Sequence, residues 1–134
     1  MASIFSRIIS REIPAYIVAE DESNIAFLDI NPLMKGHVLV VPKKEEDYLF
    51  DLSDETLRDA IVFSKKVAKA IKNSIPCLRV GVAVLGLEVP HAHIHLVPMN
   101  SMSDVNFANP KMKLSKEEFA EIASKIKNAF DALV

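Results

Sequence analysis

The chain has 134 residues, half of them hydrophobic and a quarter charged, with a formal net charge of -2. That length and balance suit one ordinary domain with a single core; they exclude a disordered chain, a basic nucleic-acid footprint and a basic membrane-surface binder. A small anionic substrate would therefore have to be held by local groups and not by the field of the whole molecule. In chain order, residues 1–10 lack a basic stretch followed by a long apolar run, so they do not read as a secretory signal. The first third then reads as strands and turns. Residues 16–19 are short and apolar, and Asp21, Glu22, Ser23 and Asn24 form a turn cluster. Residues 25–30 form a strand candidate stopped by Asn31 and Pro32, and residues 37–41 another, stopped by Pro42. A helix follows from Ser53, a suitable N-cap, with Asp54 and Glu55 where carboxylates suit the helix dipole. Its apolar stripe is Leu57, Ala60, Ile61, Ser64, Val67, Ala68 and Ile71. Pro76 closes the connection. Cys77 is the only cysteine, so no internal disulfide calls for an oxidising compartment, and a cytoplasmic location is expected. Residues 78–85 and 92–97 are the next strand candidates, the second ended by Pro98. Residues 99–113 read as irregular. A second helix opens at a capping box of Ser115 and Glu118 and carries a stripe of Phe119, Ile122, Ala123, Ile126, Phe130 and Leu133. No apolar run is long enough to span a membrane. Short strands with two amphipathic helices predict an α+β domain, an antiparallel sheet covered on one face.

Three of the four histidines fall in the run His91-Ala92-His93-Ile94-His95-Leu96-Val97-Pro98. On a strand, alternate side chains share a face, so His91, His93 and His95 would stand in a row while Ala92, Ile94 and Leu96 face the core. A lone strand histidine is usually structural; a row of three is hard to explain by packing. Two chemistries suit it. Neighbouring imidazoles can bind a metal, but the outer two would lie roughly 13 Å apart on an extended strand, so one ion could take at most two of the row, with His37 as a third ligand. The second is phosphoryl transfer, in which a central imidazole attacks phosphorus and its neighbours donate hydrogen bonds to phosphate oxygens. Gly36 precedes His37, and Gly86 lies upstream of His91, both placed where a backbone could approach a ligand closely.

The run matches the pattern His-φ-His-φ-His-φ-φ and resembles the histidine triad (HIT) family. The resemblance extends to Ile4-Phe5 and Glu12-Ile13-Pro14; to Glu20-Asp21 and the stretch from Ala26 to Pro32; and to the stretch from Gly36 to Lys43. It covers residues 1–98 of a single domain spanning 1–134, with 99–134 as a C-terminal loop and helix, and it is nearest the Hint-like branch. It implies a five-stranded antiparallel sheet with two main helices, in a homodimer. It also implies a two-step reaction on a purine nucleotide conjugate. His93 would attack the α-phosphorus, His95 and His37 would contact the phosphate, and His91 would support the nucleophile. Asp29 would accept hydrogen bonds from the ribose; Ile4, Phe5, Ile13, Phe27 and Ile30 would line the base pocket; Gly86 and Glu88 would lie beside the nucleotide. No cofactor is implied.

Three departures from the family pattern bear on the substrate. Leu87 stands where many relatives have a glutamine near the scissile bond. Val80 stands where the Hint-like branch has an asparagine. Glu88 stands where some relatives carry a phosphate-donating hydroxyl, and its charge is expected to point away from a phosphate. Some bacterial relatives hold a structural zinc through Cys-x-x-Cys; Ser3 and Ser6 occupy those places here, so no such metal is expected. The expected activity is a nucleoside phosphoramidase or nucleotidyl hydrolase. Its alternatives are a dinucleoside polyphosphate hydrolase and a nucleotide-binding regulatory protein with weak turnover.

Overall fold

The computed structural model describes residues 2–133. The elements are α1 (Ile4–Ile9), β1 (Ile17–Glu20), β2 (Asn24–Leu28), β3 (Val38–Pro42), α2 (Asp54–Ser74), β4 (Arg79–Ala83), β5 (Ile94–Met99) and α3 (Lys116–Asp131), with single 3-10 turns at Leu49–Asp51 and Met102–Val105. The strands form one antiparallel sheet in the order β1-β2-β3-β5-β4. The first three strands pair in sequence. α2 then carries the chain past the sheet to its far edge, and β5 returns to fill the gap beside β3.

The alternation of apolar residues decides what each face meets. In β3, Val38 and Val40 join the main core with α2 and α3, whereas Leu39 and Val41 join a smaller cluster with Ile25, Phe27 and α1 residues Phe5 and Ile8. β2 and β3 are therefore buried along their whole length. The expectation of a sheet covered on one face needs this correction: α1 covers part of the second face, and the cavity described below opens beside it.

Both long helices start where expected. The Ser53 hydroxyl accepts from the Thr56 N–H, and the Ser115/Glu118 capping box closes at 3.1 Å in both directions. In α2 the buried face is Ala60, Phe63, Ser64, Val67, Ala70 and Ile71. Ile61, expected on that face, is half exposed, and Phe63, on the opposite flank of the stripe, is buried. α3 buries Phe119, Ile122, Ala123 and Ile126, as its periodicity predicts.

Two local differences from the sequence reading matter for the site. α1 was not expected as a helix, because its six residues are too few to show a period. β5 begins at Ile94 and not Ala92, and it continues through Pro98. Proline is tolerated there because the pairing with β3 ends at Leu96, so at position 98 the strand has a partner on one side only.

Candidate active site

A cavity of about 460 Å³ opens on the α1 face of the sheet. Its walls come from α1, the end of β2, the 84–90 loop, the start of β5 and the loop before α3. Ile4, Phe5, Ile13, Phe27, Asp29, Ile30, Gly86 and Glu88, the residues expected around a nucleotide, all line it. Of the four histidines only His93 and His95 do. His91 and His37 are fully buried behind that wall. The row on one strand face is therefore corrected: His91 and His93 precede β5, and His95 alone of the three lies within it. The alternation survives on the other side, where Ala92, Ile94 and Leu96 enter the main core.

Hydrogen-bond partners fix where each ring carries its proton. His93 Nδ1 lies 2.7 Å from the backbone carbonyl of His91. A carbonyl only accepts, so Nδ1–H donates, and the neutral ring keeps its lone pair on Nε2. The edge of Phe5 packs on this imidazole with ring centroids 4.9 Å apart. Behind the second cavity histidine runs a directed chain. The Leu33 N–H donates to His37 Nδ1 at 3.0 Å, which leaves the His37 proton on Nε2. His37 Nε2 then donates to His95 Nδ1 at 2.9 Å, which leaves the His95 proton on Nε2. Burial holds His37 down at about 3, helped by the neighbouring His95 and Lys111. Burial and the nearby His93 hold His95 at about 4. Both rings are neutral at physiological pH, so the direction of the chain does not reverse. The site thus holds a ring with a bare nitrogen, His93, next to a ring with a committed N–H donor, His95, their centroids 5.0 Å apart.

His37, expected to touch phosphate, is buried behind the cavity wall, hydrogen-bonded to His95. Asp29 lines the cavity beside these rings, with Oδ2 3.6 Å from His37 Nε2. One of its oxygens accepts the Asn31 N–H at 2.8 Å, and burial raises its pKa, with Glu88 adding to the rise. Glu88 was expected to point away; it faces the cavity on Asp29's side. Leu87 lies at the cavity margin almost wholly exposed, and its side chain has no polar atom to offer a substrate.

Two metal sites come into question, and neither donor set fits. Asp29, His37 and His95 have ligand atoms within 4.8 Å of one another. A histidine that binds metal through Nε2 must carry its proton on Nδ1, and His37 Nδ1 already accepts the Leu33 N–H. At the zinc position of the bacterial relatives, Ser3 and Ser6 present hydroxyls, which are poor zinc donors. Both hydroxyls are also engaged, with His91 and Glu45.

Comparison with known proteins decides the family. The HIT domain model matches residues 10–102. The chain belongs to the HIT family. It is 37% identical over 133 residues to the adenosine 5'-monophosphoramidase hnt1 of Schizosaccharomyces pombe, covering 95% of this chain and all of that protein. It is 41% identical over 98 residues to the adenosine 5'-monophosphoramidase HNT1 of Saccharomyces cerevisiae, covering 72% of this chain and 62% of that protein. A crystal structure of a Hit-like protein from Bartonella henselae superposes with a TM-score of 0.83 at 34% identity, covering 95% of each chain. The five-stranded antiparallel sheet with its helices is the HIT fold of that structure.

Sequence reasoning missed four contributors to this HIT site. Phe107 packs its ring 4.7 Å from His95, and Lys111 lines the cavity from a loop that lies beyond the family motif. Ser3 and Glu45 bear on His91 from outside it. Only Ser3 left a trace in the sequence, as a small polar residue three before Ser6.

Proposed function

We propose that this chain hydrolyses nucleoside phosphoramidates and related nucleotidyl conjugates at the α-phosphorus, through a nucleotidyl-His93 intermediate. The observation that carries the reading is the pairing of a bare His93 Nε2 with the His95 Nε2–H on the wall of a cavity that also offers an apolar slot and the Asp29 carboxylate. Ile4, Phe5, Ile13, Phe27 and Ile30 offer a purine a flat apolar slot, and Asp29 stands where a ribose diol could donate to it. In the first step the His93 Nε2–P bond forms and the P–N bond to the leaving amine breaks. The amine departs with a proton taken from water in the open cleft. The His95 N–H steadies a non-bridging oxygen as charge shifts onto it. In the second step water attacks phosphorus and the Nε2–P bond breaks; the attacking water gives its proton to solvent, balancing the one taken in the first step, the nucleoside monophosphate leaves, and Nε2 recovers its lone pair. The family, the Hint-like relatives named as monophosphoramidases and the tautomers all support this sequence of events.

The test is single-turnover chemistry. Incubation with an adenosine phosphoramidate should yield adenosine monophosphate and a nucleotidyl adduct detectable by protein mass. His93→Ala should abolish both while binding persists; a wild-type rate in that variant overturns the assignment. Binding without adduct in the wild type would instead favour the weak-turnover regulatory reading, which the exposed, apolar Leu87 supports. The alternative, a dinucleoside polyphosphate hydrolase, predicts faster turnover of a dinucleoside polyphosphate than of the phosphoramidate, and comparison of the two substrates separates them.

We further propose that the whole chain acts as one domain, because α3 packs into the same core as α2. A homodimer through β4 accords with its position at the sheet edge and the exposure of Val82 and Leu85. No helix among the described residues is long and apolar enough to cross a membrane. The lone cysteine accords with a cytoplasmic setting, and the net charge of -2 accords with a small-molecule partner in place of nucleic acid.

A further inference from the structure

The polar contacts between α1 and the segment that carries His93 are not used by the mechanism above. Glu45, in the loop after β3, accepts from the Ser3 N–H and from the Ser6 hydroxyl through the same oxygen, at 2.7 Å each. These donors hold its carboxyl down at about 2, so it stays ionised. The Ser3 hydroxyl oxygen caps α1 by accepting the Ser6 N–H at 3.0 Å, and it lies 2.7 Å from His91 Nδ1. On the other side of the ring, His91 Nε2 is 2.7 Å from the Pro42 carbonyl. That carbonyl only accepts, so Nε2–H donates to it; Nδ1 is bare, and the Ser3 O–H donates to Nδ1. His91 is thereby held between α1 and the end of β3, and its own carbonyl is the group that orients His93. Phe5 of α1 packs edge-on against both rings, at 5.9 Å from His91 and 4.9 Å from His93.

We infer that Glu45, Ser3 and Ser6 pin α1 onto His91 and so set the direction in which His93 presents its nucleophilic nitrogen. The inference rests on the reading of His93 as nucleophile. None of Ser3, Ser6, Glu45 or His91 lines the cavity, so substrate does not touch the pin; Glu45 and Ser3 are positioning residues. The pin is stronger than an ordinary surface contact because one ionised oxygen receives two charge-assisted hydrogen bonds. It does without a metal what a metal could do at this position: it ties the chain's beginning to the catalytic segment.

The test compares Glu45→Ala, Ser3→Ala and Glu45→Gln. A glutamine oxygen can accept the same two donors, so only a pin predicts rescue by it. Glu45→Ala and Ser3→Ala should slow adduct formation from adenosine phosphoramidate by roughly 10- to 100-fold, the scale of a misaligned reacting atom. Glu45→Gln, which keeps the two acceptor contacts and loses their charge, should recover most of the rate lost in Glu45→Ala. Nitrogen NMR of the histidine rings gives a readout free of turnover. The wild type should show His93 protonated at Nδ1 and His91 at Nε2, and Glu45→Ala should show averaged tautomers at His93. Unchanged ring signals and adduct rates in both alanine variants overturn the pin. If the wild type forms no adduct, the phosphoramidase reading fails, and the ring signals alone decide the pin.

Discussion

A neutral imidazole offers one donor and one acceptor, and at each histidine of this site a backbone or side-chain partner chooses which nitrogen is which. His93 receives its instruction from the His91 carbonyl. His95 receives its own at second hand, from the Leu33 N–H through His37. The consequences of substitution differ accordingly. His95→Ala removes one preset donor and leaves the nucleophile, so single-turnover adduct formation should fall by roughly 10²- to 10³-fold without vanishing. His37→Ala removes no contact to substrate. It frees His95 to rotate and to choose either tautomer, so it should lower the rate less than His95→Ala, with substrate affinity nearly unchanged. Equal loss in the two variants would place His37 on the substrate after all.

The strands and helices owe their stability to capping and to alternate burial. The capping box that opens α3 satisfies two N–H groups, so Ser115→Ala should cost about 1 kcal/mol in urea unfolding. Ile126, on the buried face of the same helix, is fully enclosed, and Ile126→Ala should cost about 2–5 kcal/mol through lost burial and the void left behind. Immediately before β3, Gly36 has φ +92, and a Cβ there would meet Ile75 and Pro98 at 3.1 Å. Gly36→Ala should therefore destabilise by about 1–3 kcal/mol through backbone strain alone. It should also disturb the His37–His95 chain, since His37 is the next residue. An urea midpoint equal to wild type would remove the strain argument.

At the scale of the molecule, burial of neutral histidines makes stability depend on pH. His37 and His95 titrate at about 3 and about 4 in the folded protein, against 6.5 when unfolded, and burial lowers His91 as well. Between pH 6.5 and about 3 the unfolded chain therefore binds more protons than the folded one. Unfolding free energy rises with pH across that window, and these groups contribute no further change above it. The urea midpoint should fall as pH drops from 6.5 toward 4, with a shallower slope in His37→Asn. A midpoint that is flat from pH 7 to 5 would mean that these rings are not buried in neutral form. The ionised Glu45 acts in the same direction but lower down, since its contribution is lost as pH falls below 4.5 toward 2.

Legible from the residues alone were most of the strands, the two long helices, the caps at Ser53 and Ser115 and the apolar partners of the histidine run; the short α1 was not, and the residues proposed around a nucleotide came from the family resemblance. The legible features follow from short-range periodicity and from a motif whose spacing is local. The sequence could not show that His91 and His37 lie behind the wall and not on it, that Phe107 and Lys111 reach the cavity, or that Glu45 and Ser3 meet at His91. Those facts depend on contacts between residues far apart in the chain, such as Ser3 with His91 and His37 with His95. Only the folded sheet, with β5 inserted beside β3 and α1 laid against it, brings those partners within hydrogen-bonding distance, and the positions of the ring protons follow from that assembly.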